Sequence, residues 1–338
     1  MKKRLELLAA GLAMAALFAA CTEKEGVYNP EKKIAKVYSS SSYVHSYYDE
    51  YADTWQYDTT SMPKQLAEEW KWDGKKLEQI TFYDAQVEPA KPNGEVVKFV
   101  YDGKRVVRIE GEDEYVVFAY DGRELQQVQL FEEGESSPWE TYTFKHEGGR
   151  IMQLVITSHD MPLLDKRVTA CRRMEQVLLG QVLTLPHAEK AVRALRSRAA
   201  KGGAKDEESI TMNLTWTGDN VTQVDASWYE GGFAGGPVKF SAKFEFDSKN
   251  NPYQHNYISL MGLGEDAGSN AFFNKNNITQ VTERYDHDFY GSESDVTTYE
   301  YTYDGDWPLT QTESSIRGGD GYSWTSFYTR YFEYEYVK

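Results

Sequence analysis

Six histidines, two cysteines and 53 acidic side chains are the material for chemistry in this 338-residue sequence. The histidines His45, His146, His159, His187, His255 and His287 form no HExxH or other metal-ligand spacing, and no CxxC is present. One acidic cluster, "YDHDFYGSESD" from Tyr285 to Asp295, offers Asp286, Asp288 and Asp295 as weak Ca²⁺ candidates. Their order does not match an EF-hand loop, and a solvated acidic loop is the simpler expectation. The glycine-rich stretches "EGGFAGGP" and "MGLGEDAGSN" lack a following GK[ST] and lie between strand patterns, so they read as loops rather than phosphate cradles. GxSxG elbows are absent. Carboxylates abound, yet no two are singled out as a glycosidase pair. The expectation is a protein that is not an enzyme and needs no cofactor. The alternative is a hydrolytic enzyme with an unrecognised carboxylate site.

Cys21 stands apart from this negative list. It follows a basic start, Lys2-Lys3-Arg4, and the apolar run "LLAAGLAMAALFAA" from Leu7 to Ala20. Fourteen residues span about 21 Å as a helix, short of the roughly 30 Å hydrocarbon core, so residues 1–20 read as a secretion signal rather than a membrane anchor. "LFAAC" resembles the lipobox of bacterial lipoproteins, which implies cleavage between Ala20 and Cys21 and lipid on the Cys21 sulfur. Phe18 stands where Leu is usual, with Leu17 one place earlier. An ordinary signal peptide with an incidental Cys is the other reading. Thr22 after the Cys is not the Asp of inner-membrane retention, and "TEKEG" resembles the acidic export signals of Bacteroidetes surface lipoproteins. With Cys21 lipidated, Cys171 has no internal disulfide partner and reads as a small apolar residue.

These features sit on a chain built for β-structure. Tyr alone accounts for 25 residues and all aromatics for 14%, a composition that suits half-buried pleated surfaces. A polar tether, residues 21–33, leads to a first strand "IAKVY" and a Ser- and Tyr-rich loop through Thr60. One phrase then recurs eight times: an aromatic-bearing strand, a turn, and a new strand opening on an aliphatic residue. The eight are "EWKWDGKKLEQI", "KFVYDGKRVVRI", "VFAYDGRELQQV", "TYTFKHEGGRIMQL", "NLTWTGDNVTQV", "KFEFDSKNNPYQH", "AFFNKNNITQV" and "YEYTYDGDWPLTQ". Asp-Gly and its relatives supply the positive φ of hairpin turns. In "YDGK" the recurrence assigns Asp102 to the turn rather than to a metal or phosphate site.

The flanks alternate with period two, as in Phe240, Ala242, Phe244 and Phe246 against Ser241, Lys243 and Glu245. Eight hairpins imply about sixteen strands, too many for a flat open sheet. The fold expected is all-β: a large antiparallel meander, curled or closed into a barrel-like structure, forming one domain over residues 34–338. A helical insertion is expected near 161–205, where "VTACRRMEQVLLGQVL" and "LPHAEKAVRALRSRAAKGGAK" are rich in Ala, Leu and Arg. Asp165 to Lys205 carries ten basic and three acidic residues. It reads as a surface helical hairpin, or as a basic arm for the acidic sheet, a partner or lipid headgroups.

"WDGKKL", "YDGKRV", "YDGREL" and "YDGDWPL" look like diverged YD-type units of RHS-like proteins. The mature chain, from "VYNPEKKIAKVY" to the closing "YFEYEYVK", is similar to Bacteroidetes lipoproteins of the domain-of-unknown-function 4595 family, which has a porin-like fold. The resemblance implies a large antiparallel barrel and an envelope location, and it brings no catalytic residues. Aromatics run along the strands instead of marking two girdles, and the chain ends in Tyr-Val-Lys, so a barrel with its aromatic face inward is expected rather than a membrane-spanning one. Net charge, −16 for the chain, disfavours nucleic acid. The function expected is a non-enzymatic binding or scaffold lipoprotein of the outer membrane, on its periplasmic or cell-surface face. It would be held to the membrane through lipid on Cys21, with a glycan, peptide or envelope protein as partner.

Overall fold

The computed structural model describes residues 25–49, 54–84, 91–159, 208–230, 236–256, 273–287, 291–317 and 324–338. Sixteen strands follow in chain order: β1 (Ile34–Asp49), β2 (Thr54–Asp73), β3 (Lys76–Asp84), β4 (Lys91–Asp102), β5 (Arg105–Glu110), β6 (Glu114–Asp121), β7 (Glu124–Glu132) and β8 (Glu140–Glu147). β9 (Arg150–Ser158), β10 (Glu208–Thr217), β11 (Asn220–Glu230), β12 (Gly236–Asn250), β13 (Asn276–His287), β14 (Gly291–Asp304), β15 (Trp307–Arg317) and β16 (Trp324–Tyr336) complete them. Each pairs antiparallel with its chain neighbours, and β16 returns to β1, so the meander closes into a barrel. The wall is taller on one side, where β12 to β16, β1 and β2 run 11 to 20 residues against 6 to 12 in β3 to β11. The helical insertion expected near 161–205 lies outside the described residues.

The number sixteen is right for two reasons that offset each other. The Ser- and Tyr-rich segment expected as a loop is instead the ladder of β1 with β2, paired from Lys36–Glu69 out to Asp49–Thr54. Conversely, "KFEFDSKNNPYQH" closes β12 and "AFFNKNNITQV" opens β13, so these two phrases flank one connection rather than making two hairpins.

Alternation sets which face is buried. On β12 Phe240, Ala242 and Phe244 are buried while Lys243 and Glu245 are exposed, and on β16 Phe332 and Tyr334 are buried while Glu335 is exposed. A sixteen-stranded barrel ordinarily leaves an aqueous channel. Here the inward Leu77, Ile80, Val97, Ile109, Leu130 and Phe144 are buried in one continuous apolar cluster. Each such side chain contributes about 1.5–3 kcal/mol by leaving water. The outer face carries Lys71, Glu78, Lys98, Lys239, Lys243 and Glu300, all exposed, so its polarity is the inverse of a lipid-facing band.

Each hairpin is one copy of a small machine. In the β4–β5 hairpin Asp102 pairs with Arg105, and Gly103 holds φ at 60° with open space around it. One positive φ at the first central residue is what a type II′ turn asks for. Register then jumps, because Val100 pairs with Arg108 but Tyr101 with Val106, which leaves one extra residue on β5. This bulge resets the alternation, so Val106 and Ile109 both face inward although three residues apart. The same jump puts Leu77 with Ile80, Leu125 with Val128, Ile151 with Leu154, and Val221 with Val224 on the inner face.

In most units an aromatic near the strand end fastens its strand to the preceding one. Trp72 Nε1 donates to the Ile34 carbonyl at 2.7 Å, Tyr101 Oη to Leu77 at 2.8 Å, and Tyr120 Oη to Val106 at 2.7 Å. Trp216 Nε1 donates to Ile151 at 2.7 Å, Tyr301 Oη to Ile278 at 2.9 Å, and Tyr336 Oη to Pro308 at 2.6 Å. Every acceptor is the inward residue that opens an odd-numbered strand. A bulge frees carbonyls from the ladder, and this belt of phenol and indole donors uses them around the turn end. Cations cover the rings from outside: Lys33 lies 5.3 Å from the Trp72 ring centre, Lys76 5.0 Å from Tyr101, Arg105 4.7 Å from Tyr120 and Arg150 5.5 Å from Trp216.

Candidate functional site

Cys21 and Asp288 lie outside the described residues. Asp286 faces outward on β13, where its carboxylate accepts from Arg284 Nε at 3.0 and 3.1 Å and from Ser292 Oγ at 2.5 Å. The hydrogen-bonded Arg284 guanidinium holds the Asp286 carboxyl below the usual carboxylate range. Asp295 pairs in register with the buried Glu283, on the opposite face from Asp286. The two therefore do not share a cation site. No group of three metal-ligating side chains occurs among the described residues. Asp102 is exposed in its turn.

Departures from the hairpin pattern mark the places with a separate task. Where other units carry an aromatic before the turn, the β8–β9 unit has His146. Where the β2–β3, β4–β5 and β8–β9 units carry a cation after the turn, Lys76, Arg105 and Arg150, the β6–β7 unit has Glu124. The exchange makes room for residues 25–33, which cross the turn end of the barrel. The Glu25 carboxylate accepts from the Leu125 amide and lies 3.2 Å from His146 Nε2, while the Glu25 amide donates to the Arg123 carbonyl at 3.2 Å. Val106 N donates to the Gly26 carbonyl at 2.9 Å. Gly26 has φ 84°, and a Cβ there would meet the Tyr120 hydroxyl at 2.3 Å. Two residues on, Tyr28 is buried against Trp70 and Trp72 and donates to the Pro252 carbonyl at 2.8 Å. The segment read as a polar tether packs on the turn end from Glu25 onward, with Gly26 and Tyr28 buried and Asn29 and Glu31 exposed.

A second strap comes from the β12–β13 connection, at the other unit lacking a donor, where Phe246 stands. Asn274 Oδ1 accepts from Val221 N at 2.7 Å, matching the bond of Glu25 to Leu125. Tyr253 packs edge-on to Trp70 and Tyr334. Tyr28 from the first strap and Tyr253 from the second both set a ring against Trp70 at the turn end.

The third departure is chemical. The inward position three residues after the strand-opening residue is Ile80, Ile109, Val128, Leu154, Val224 and Val281 in other units, but Gln311 in β15. Gln311 accepts from Tyr334 Oη at 3.0 Å. It belongs to a polar sector of the inner wall running from β13 to β2, with Glu283, Thr297, Glu313, Ser315, Ser39 and Glu68 all buried. Glu68 accepts from Trp70 Nε1 at 2.7 Å. Burial pushes the Tyr28, Tyr253, Tyr301 and Tyr334 phenols well above their ordinary range, and nearby Glu68 adds to this for Tyr28, Tyr253 and Tyr334. Such a wall holds protons on its phenols. By register, Glu283 and Glu313 sit two strands and about four residues apart, roughly 16 Å between backbones. Glu283 and Asp295, directly opposed, are the close pair in this sector.

At the end away from the turns, β2 from Thr54 to Leu66 pairs with β1 beyond the last pairing with β3, Glu68–Phe82. This ladder exposes Tyr57 at 65% and Tyr43 at 39%. Sequence reasoning missed both, because it read the segment as a loop. No protein-family model and no curated protein matches this chain.

Proposed function

We propose that the chain is a non-enzymatic binding lipoprotein of the bacterial outer membrane. On this reading the filled barrel stands in water and is tied to the bilayer by lipid on Cys21. The observation that carries it is the polarity of the wall: charged side chains outside and packed aliphatic and aromatic side chains inside, joined to a sequence that resembles a lipobox. The hydroxyl-rich β1–β2 ladder, with Tyr43 and Tyr57 exposed on its two opposite faces, is the recognition surface, since planar rings beside hydroxyl groups stack on sugars. Affinity electrophoresis of residues 22–338 through gels containing bacterial and plant polysaccharides tests this. Retardation by at least one polysaccharide, lost in Tyr57→Ala with Tyr43→Ala, is expected. Equal retardation of the variant, or none in any gel, contradicts the glycan assignment.

The cross-strand pair of Glu283 and Asp295 favours a second reading, glycoside hydrolysis. Release of reducing ends that disappears in Glu283→Gln would establish it in place of the first.

A further inference from the structure

We infer that the strap fixes the orientation of the barrel on the membrane, with the hairpin-turn end as the face that meets phospholipid headgroups. The inference rests on the proposed lipidation of Cys21. Only four residue steps separate Cys21 from Glu25, and a fully extended chain covers at most about 14 Å in that length. Glu25 is no loose tether residue. Its amide, its carboxylate and the next carbonyl are all bonded to hairpin ends, at Arg123, Leu125 with His146, and Val106. Gly26 fits against Tyr120 where a side chain would collide, and Tyr28 is sunk among Trp70, Trp72 and Pro252. A lipid at residue 21 is therefore pinned to the rim that carries the turns at Asp102, Asp121 and Glu147.

The other end is far from the bilayer. Thr59 precedes the Asp73 turn by fourteen residues along β2, about 46 Å of strand and about 35 Å along a barrel axis tilted by 40°. The orientation aims the β1–β2 ladder, with Tyr43 and Tyr57, away from the membrane.

The test uses lipidated full-length protein in vesicles of phosphatidylethanolamine and phosphatidylglycerol that contain an energy-transfer acceptor on the headgroup. In a Cys171→Ser background, a donor dye is attached at Asp102→Cys or at Thr59→Cys. Transfer from position 102 is expected to exceed that from position 59 by about twofold or more, given the difference in height. Glu25→Ala with Gly26→Ala, checked for a folded core by near-UV circular dichroism, is expected to shrink the difference. Equal transfer from both positions in vesicle-bound protein overturns the orientation while leaving the lipid anchor standing. Folded protein that fails to float with vesicles overturns the anchor, and the orientation with it.

Discussion

Tyr101 does two jobs that the sequence reports only as one aromatic. Its ring fills the turn end, and its hydroxyl closes the Leu77 carbonyl left open by the bulge. Tyr101→Phe keeps the ring and removes the bond, so a loss of about 0.5–1.5 kcal/mol in denaturant unfolding is expected with no change of fold. Gly26→Ala is costlier, because it combines a left-handed φ with a clash against Tyr120; about 1–3 kcal/mol is expected from the same measurement. The buried phenols also set a pH limit. Burial raises Tyr101 to about 12, and pushes Tyr28 and Tyr334 well above the ordinary value of 10. The folded state thus keeps protons that the unfolded chain releases. The stability this linkage contributes is complete below about pH 10 and falls as pH rises toward the folded values. Guanidinium midpoints flat to about pH 9.5 and dropping above it are expected, with phenolate absorbance appearing together with unfolding.

At the scale of the element, the hairpin unit was largely legible and its fine structure was not. The recurrence of Asp-Gly between alternating strands led to the turns and to sixteen strands. The bulge was hidden because Val106 and Ile109 break the period of two by one residue, and a single unit cannot distinguish that from noise. His146 and Glu124 look ordinary one at a time, and the strap depends on contacts about 80 to 224 residues apart, from Gly26–Val106 to Tyr28–Pro252. Likewise "SSSSYVHSYYDEYADTWQYDTT" reads as loop by composition, although pairing of its described parts, β1 with β16 and β2 with β1, makes them strand. The turn assignment has a direct check. Asp102→Asn is expected to leave stability within about 0.5 kcal/mol, whereas Gly103→Ala, at φ 60°, is expected to cost about 1 kcal/mol or more. A carboxylate with a chemical task would reverse that order.

For the whole molecule, closure and filling decide what the barrel is for. Closing β16 on β1 removes the edges along the strands they share, and among the described residues the inner face carries one continuous apolar cluster with Tyr28 and Tyr253 packed at the turn end. The charged outer wall is the inverse of a lipid-facing band, and the proposed reading has the barrel beside a bilayer rather than across it. Two attachments to the membrane are thus distinguishable by one change. Cell fractionation of Cys21→Ala, with the signal sequence kept, tests the account most directly. The account predicts that the unaltered protein sediments with membranes and needs detergent for release, while Cys21→Ala appears in the soluble fraction as a folded β-protein. Folded Cys21→Ala that stays in the membrane through high salt and alkaline washing would contradict it.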